Sequence, residues 1–110
     1  MEIKHYKEEE YTIIQITGDL DASSAVILDD AIKEVMHKNE KNIFIDCQNL
    51  NYIASAGLGV FMSYISDITA NSINFRLFNM SNKILDVFKV LGLNVLLNID
   101  STKKEVVSSI

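Results

Sequence analysis

The sequence predicts an α/β fold. It reads as one domain with a mainly parallel mixed sheet of about four to five strands, an N-terminal hairpin and about four helices. Three observations carry this prediction. Two strand-like segments, Ile3 to Lys7 and Tyr11 to Thr17, are separated only by Glu8-Glu9-Glu10. Beyond them, helical spacing of apolar residues alternates with short apolar runs, the pattern of a parallel sheet built from right-handed crossovers. Finally, 110 residues with 48% hydrophobic and 23% charged side chains suit a single domain, 1–110, with its own core.

Each element follows in order. Ile3 to Lys7 alternates its side chains, and Tyr11 to Thr17 is rich in β-branched residues and ends at Gly18. The acidic turn between them joins two strands and discourages pairing of their edge with another chain. From Ala25 to Lys38 the period lengthens: Ala25, Leu28, Ala31, Ile32 and Val35 share one face of a helix, with charged residues mostly opposite. Asp21 or Ser23 supplies its N-cap. Ile43 to Cys47 is nearly continuous in apolar character, as in a central parallel strand covered on both faces. A polar loop, Gln48 to Ala54, leads to a second helix from about Ala56 to Ala70, with Leu58, Met62, Ile65 and Ile68 at helical spacing. Ile73 to Phe78 returns to strand. Ser81 caps a third helix with an inner stripe of Ile84, Phe88 and Leu91, and Gly92 stops it. A short strand near Leu96 to Ile99 precedes a last helix from Ser101 onward. Thr102 and Glu105 have capping-box spacing there, with Asp100 a competing cap.

Composition excludes several functions. The net charge of −5 disfavours nucleic acid as a partner, because phosphates demand a basic patch. The one basic pair, Lys103-Lys104, adjoins Glu105 and reads as a solvated helix face. Cys47 is the only cysteine and lies in an apolar run, so it reads as a small core residue in a reducing, cytoplasmic setting. The segment Met1-Glu2-Ile3-Lys4-His5 has no apolar stretch of the secretory type. No apolar run approaches bilayer length, so membrane insertion is not expected.

In a parallel sheet, partners meet the loops beyond the carboxyl ends of the strands. Those loops are Gly18 to Ser23, Gln48 to Ala56 and Asn79 to Ser81. The middle one ends in Ala54-Ser55-Ala56-Gly57-Leu58-Gly59, the most unusual short segment of the chain. It is not a dinucleotide fingerprint, because Met62 stands where the third Gly belongs, and no Gly-Lys-Ser or Gly-Lys-Thr is present. Nor is it a hydrolase elbow, which needs Gly in place of Ile53. Only His5 and His37 are available as bases or zinc ligands, and neither adjoins a convincing acid partner. No enzyme activity, cofactor or metal is therefore expected. What remains is Ser55 at a helix N-terminus among small residues, either a simple N-cap or a site where added phosphate meets free backbone N–H groups.

The string from Ile45-Asp46 to Tyr52-Ile53-Ala54-Ser55-Ala56-Gly57-Leu58-Gly59-Val60 resembles the phosphorylation segment of the anti-sigma factor antagonists of the STAS family. Gly18-Asp19-Leu20-Asp21 is similar to the family's Gly-x-Leu-Asp after the second strand. Leu77-Phe78-Asn79 with Val87-Phe88-Lys89-Val90-Leu91-Gly92-Leu93 resembles its third-helix segment. The resemblance implies a STAS domain and a partner-switching module that regulates a sigma factor. Unphosphorylated, the chain would bind an anti-sigma factor serine kinase, an ATPase of histidine-kinase-like fold. Phosphorylation of Ser55 would release it, and a PP2C-type phosphatase would reset it. Asp21, Ala54, Ala56, Gly57, Leu58 and Gly59 would face the partner. The resemblance also admits an alternative, an accessory STAS subunit bound to the ATPase of an ABC-type lipid transporter, with Ser55 only a cap. One departure is notable: Ala54 stands where the family has Asp, which removes a carboxylate beside the serine.

Overall fold

The computed structural model describes residues 1–110. Strands β1 (Glu2–Glu8) and β2 (Tyr11–Leu20) form the expected antiparallel hairpin, with Glu2 opposite Thr17 and Glu8 opposite Tyr11. The chain then alternates α1 (Ala25–His37), β3 (Asn42–Ile53), α2 (Ser55–Ala70), β4 (Asn74–Phe78) and α3 (Asn82–Val90). A single turn, α4 (Leu93–Leu96), the short strand β5 (Asn98–Ile99) and α5 (Lys103–Ser108) complete it. The sheet has five strands in the order β1-β2-β3-β4-β5, and every pairing after the hairpin is parallel.

The two faces of this sheet are covered unequally. Ile14, Ile16, Ile43, Ile45, Phe75 and Leu77 point to one side, where α1, α2, α3 and α4 bury Leu28, Ile32, Phe61, Phe88 and Leu93 against them. On the other side Tyr11, Ile13, Phe44 and Phe78 meet only α5, through Val106. Consecutive residues of the central strands are thus buried in turn to opposite faces, which explains the continuous apolar run at Ile43 to Cys47. Cys47 is fully buried, and burial pushes its thiol well above the ordinary range, so it packs as a small apolar residue.

Several local expectations need correction. Gln48 to Ala54 is not a loop: β3 continues through Ile53, paired to β2 as far as Leu20 opposite Ile53. Register shifts between Gln15 and Thr17 and between Gly18 and Asp19 place Cys47, Leu50 and Ile53 inward at every third residue, which hides the two-residue strand period. α2 starts at Ser55 rather than Ala56, and its inner residues are Gly57, Leu58, Phe61 and Tyr64, whereas Met62 is 51% exposed. The N-cap of α1 is Ser24, not Asp21 or Ser23. Leu91 lies beyond α3 and is exposed, because Gly92 adopts a left-handed φ of 72° that turns the chain there. The turn α4 occupies part of the expected final strand and adds a fifth helix. The Ser81 cap and the Thr102–Glu105 capping box are present as expected.

Candidate functional site

The carboxyl ends of β2 and β3 are tied together by the Ala54 N–H, which donates to the Leu20 carbonyl at 2.8 Å. This bond brings Asp19 and Asp21 beside the start of α2. The Asp21 carboxylate organises its own turn: it accepts from the Ser23 N–H (3.1 Å), the Ser23 hydroxyl (2.8 Å) and the Ser24 N–H (3.1 Å). The Ser23 hydroxyl, followed by the Ser24 N–H, holds the Asp21 carboxyl below the usual carboxylate range. Ser24 returns the contact by accepting from the Asp21 N–H at 2.9 Å. The acidic loop is thus ordered before any partner arrives.

Ala54 is the N-cap of α2, in extended conformation, and has no side chain that can accept from the helix. Ser55 is the first helical residue and is exposed, as is Ala56. The amides that open a helix lack intrahelical acceptors, so here they face outward uncapped. Gly57 and Leu58 turn inward. A Cβ on Gly57 would stand 2.6 Å from the Leu20 side chain and 3.1 Å from Ile53, so the glycine lets α2 settle on the strand ends. Leu58 is 5% exposed and belongs to the main core. At Gly59, by contrast, an added Cβ would meet only open space. Of the residues expected to face a partner, Asp21, Ala56 and Gly59 are exposed, Ala54 is half-buried, and Gly57 and Leu58 support the surface from below.

Beside Ser55 runs an open groove of about 420 Å³. Tyr52 and Leu58 form one side, and Asp86, Val87, Val90 and Leu91 of the α3 segment form the other. The α3 contribution was not foreseen from the sequence, where Leu91 counted as interior. The adjacent Val90-Leu91 pair before Gly92 is the signal that more than one apolar side chain cannot all turn inward there. A serine with apolar surface on one side and carboxylates on the other can accept a phosphoryl group and can dock a protein.

The histidines lie elsewhere. His37 ends α1, which feeds the start of β3, whereas Ser55 follows the end of that strand. His5 on β1 has its Nε2 3.3 Å from Glu34 of α1. No group of three or more His, Cys, Asp or Glu side chains is placed to hold a metal ion. No helix is long and apolar enough to cross a membrane.

Comparison with known proteins places this geometry among relatives. A family model described as STAS domain matches residues 2–106. The anti-sigma-B factor antagonist of Listeria monocytogenes is 26% identical over 105 residues, covering 96% of this chain and 91% of the relative. An anti-sigma factor antagonist from Mycobacterium paratuberculosis superposes with a TM-score of 0.90 at 15% identity, over 99% of this chain and 92% of that one. The Bacillus cell fate determinant SpoIIAA in its phosphorylated form gives a TM-score of 0.74 at 19% identity, over 98% of each chain.

Proposed function

The chain belongs to the STAS domain family, and we propose that it is an anti-sigma factor antagonist whose hold on its partner is governed by phosphorylation of Ser55. The observation that carries this reading is the placement of Ser55, an exposed hydroxyl on the first residue of an uncapped helix, between a preordered acidic loop and an apolar groove. The naming of the Listeria relative and the phosphorylated SpoIIAA structure support it.

In the proposed cycle the unmodified protein docks on an anti-sigma factor serine kinase in the cytoplasm, through Ala56, Gly59, Asp21 and the groove. The Ser55 hydroxyl attacks the γ-phosphorus of ATP, its proton passes to a base on the kinase, and ADP leaves. Water then cleaves the phosphate ester on a PP2C-type phosphatase, returning the hydroxyl and releasing inorganic phosphate. The chain itself supplies position rather than catalysis.

Magnitudes show where the switch must act. The phosphate gains about 0.3–1 kcal/mol from the positive end of α2. Moving a bound population from 99:1 to 1:99 takes about 5.5 kcal/mol. The difference has to arise in the interface, where a dianion must be desolvated, clashes with close-packed surface and sits beside Asp19 and Asp21. Asp86, which lines the same groove as Ser55, adds a further carboxylate beside the serine segment.

Paired baits test the reading. Wild-type and Ser55→Asp proteins are incubated in native lysate and their captures identified. Wild type should retain an ATPase of histidine-kinase-like fold that Ser55→Asp loses. Equal retention of a transporter ATPase by both baits would make Ser55 structural and the chain a constitutive accessory subunit.

A further inference from the structure

The connections that leave the sheet part company at one place. After β2, β3 and β4 the chain turns to the face covered by α1, α2 and α3, whereas after β5 it crosses to the opposite face, where α5 packs. β4 and β5 are parallel neighbours, so the segments leaving their carboxyl ends diverge. In open α/β sheets a crevice of this kind, outside the carboxyl ends where adjacent connections separate, is where ligands bind. A hollow of about 320 Å³ lies there, between α3 and the segment that follows β5. Its volume falls in the roughly 300–1,000 Å³ range of small-ligand sites.

We propose that this hollow binds a small organic monoanion, a carboxylate carrying a short apolar chain. Its lips are fixed from within the chain. The Asp100 N–H donates to the Leu77 carbonyl at 2.9 Å, and the Asn79 N–H donates to the Ser101 carbonyl at 3.3 Å. Asn79 itself holds a left-handed φ of 60° at the turn out of β4. Asp100 is neutralised by Arg76, whose Nη1 donates to its carboxylate at 3.1 Å. Lys89 is thus the one unpaired charge that lines the hollow. The amides of Asn82 and Asn94 and the Ser101 hydroxyl line it too, and none of these side chains makes a hydrogen bond within the chain. Free donors around a single cation suit carboxylate oxygens, which only accept. Met80, Leu85 and Ile99 supply apolar wall for the rest of the molecule. The net charge of −5 works against any anion, so the affinity lies in the millimolar range.

This hollow is separate from the groove beside Ser55. Asn82, Leu85 and Lys89 recur at helical spacing along one side of α3, and Asp86, Val87 and Val90 line the Ser55 groove from another. α3 is thus the wall between the two. Binding in the hollow does not depend on whether Ser55 is ever modified.

A titration of the full chain with sodium butyrate, followed by proton–nitrogen NMR correlation spectra against matched sodium chloride, tests the proposal. The amide signals of Asn82, Lys89, Asn94 and Ser101 should shift together and saturate in the millimolar range. Butyramide, with the same chain and no charge, should bind at least about tenfold more weakly. Lys89→Gln should weaken butyrate binding about tenfold, and Lys83→Gln, on the same helix but outside the hollow, should leave it unchanged. Shifts that fail to saturate, or that saturate elsewhere on the chain, overturn the proposal. So does equal binding of butyramide, or an affinity that Lys89→Gln does not change.

Discussion

At the scale of single residues, Ala54 is the most informative position. It occupies the N-cap of a 16-residue helix and offers no acceptor, so the helix begins with unsatisfied amides. Ala54→Ser should therefore raise stability by about 1 kcal/mol, read as a higher urea midpoint at unchanged slope. A phosphate on Ser55 meets the same amides, and modified protein should be slightly more stable than unmodified, not less. Asp21 gives a second expectation. Its folded pKa lies below its unfolded value, because the Ser23 and Ser24 donors favour the carboxylate. Its contribution is complete above the unfolded pKa and is lost as pH falls through the folded one. An NMR titration should find the Asp21 carboxyl midpoint below the usual aspartate range, with Ser23→Ala moving it upward.

At the scale of elements, the two glycines of α2 separate packing from propensity. Gly57 is held against Leu20 and Ile53, and Gly59 faces open space. Gly57→Ala should destabilise, because an overpacking cost of about 1–3 kcal/mol exceeds a propensity gain of about 1 kcal/mol. Gly59→Ala should instead stabilise by about 0.5–1 kcal/mol. Thermal unfolding of the two variants should move in opposite directions. If Gly59→Ala also weakens capture of the partner, its missing side chain serves close approach from outside. The same elements show what was legible in the sequence. The hairpin, α1, β4 and the capping box announce themselves through unbroken periods and cap residues. The second half of β3 does not, because bulges in its pairing with β2 space its inward residues by three and leave Gln48, Asn49 and Asn51 exposed, as in a loop. The groove was hidden for a related reason. Helical spacing groups Ile84, Phe88 and Leu91, but the left-handed Gly92 ends the helix before Leu91 can turn inward.

At the scale of the molecule, the sheet has a heavily covered face and a lightly covered one. Four helices bury the main core, whereas Val106 of the short α5 is the one helical residue fully buried against Tyr11, Ile13, Phe44 and Phe78. Val106→Asp should release α5 and cost at least the roughly 1.5–3 kcal/mol of a buried valine, with loss of hydrogen-exchange protection in α5. Ser55 lies outside that seal, at the carboxyl end of β3 where α2 begins, in a groove that no α5 residue lines, so partner binding by Val106 variants that still fold should be spared. This division lets the surface around Ser55 change charge without loosening the core. The most direct test of the switch is a titration of the captured kinase with unmodified chain and with chain phosphorylated on Ser55. The unmodified chain should bind about ten-thousandfold more tightly, as a shift from 99:1 to 1:99 requires. Equal affinity of the two forms would contradict the reading, leaving Ser55 as the opening residue of a helix and nothing more.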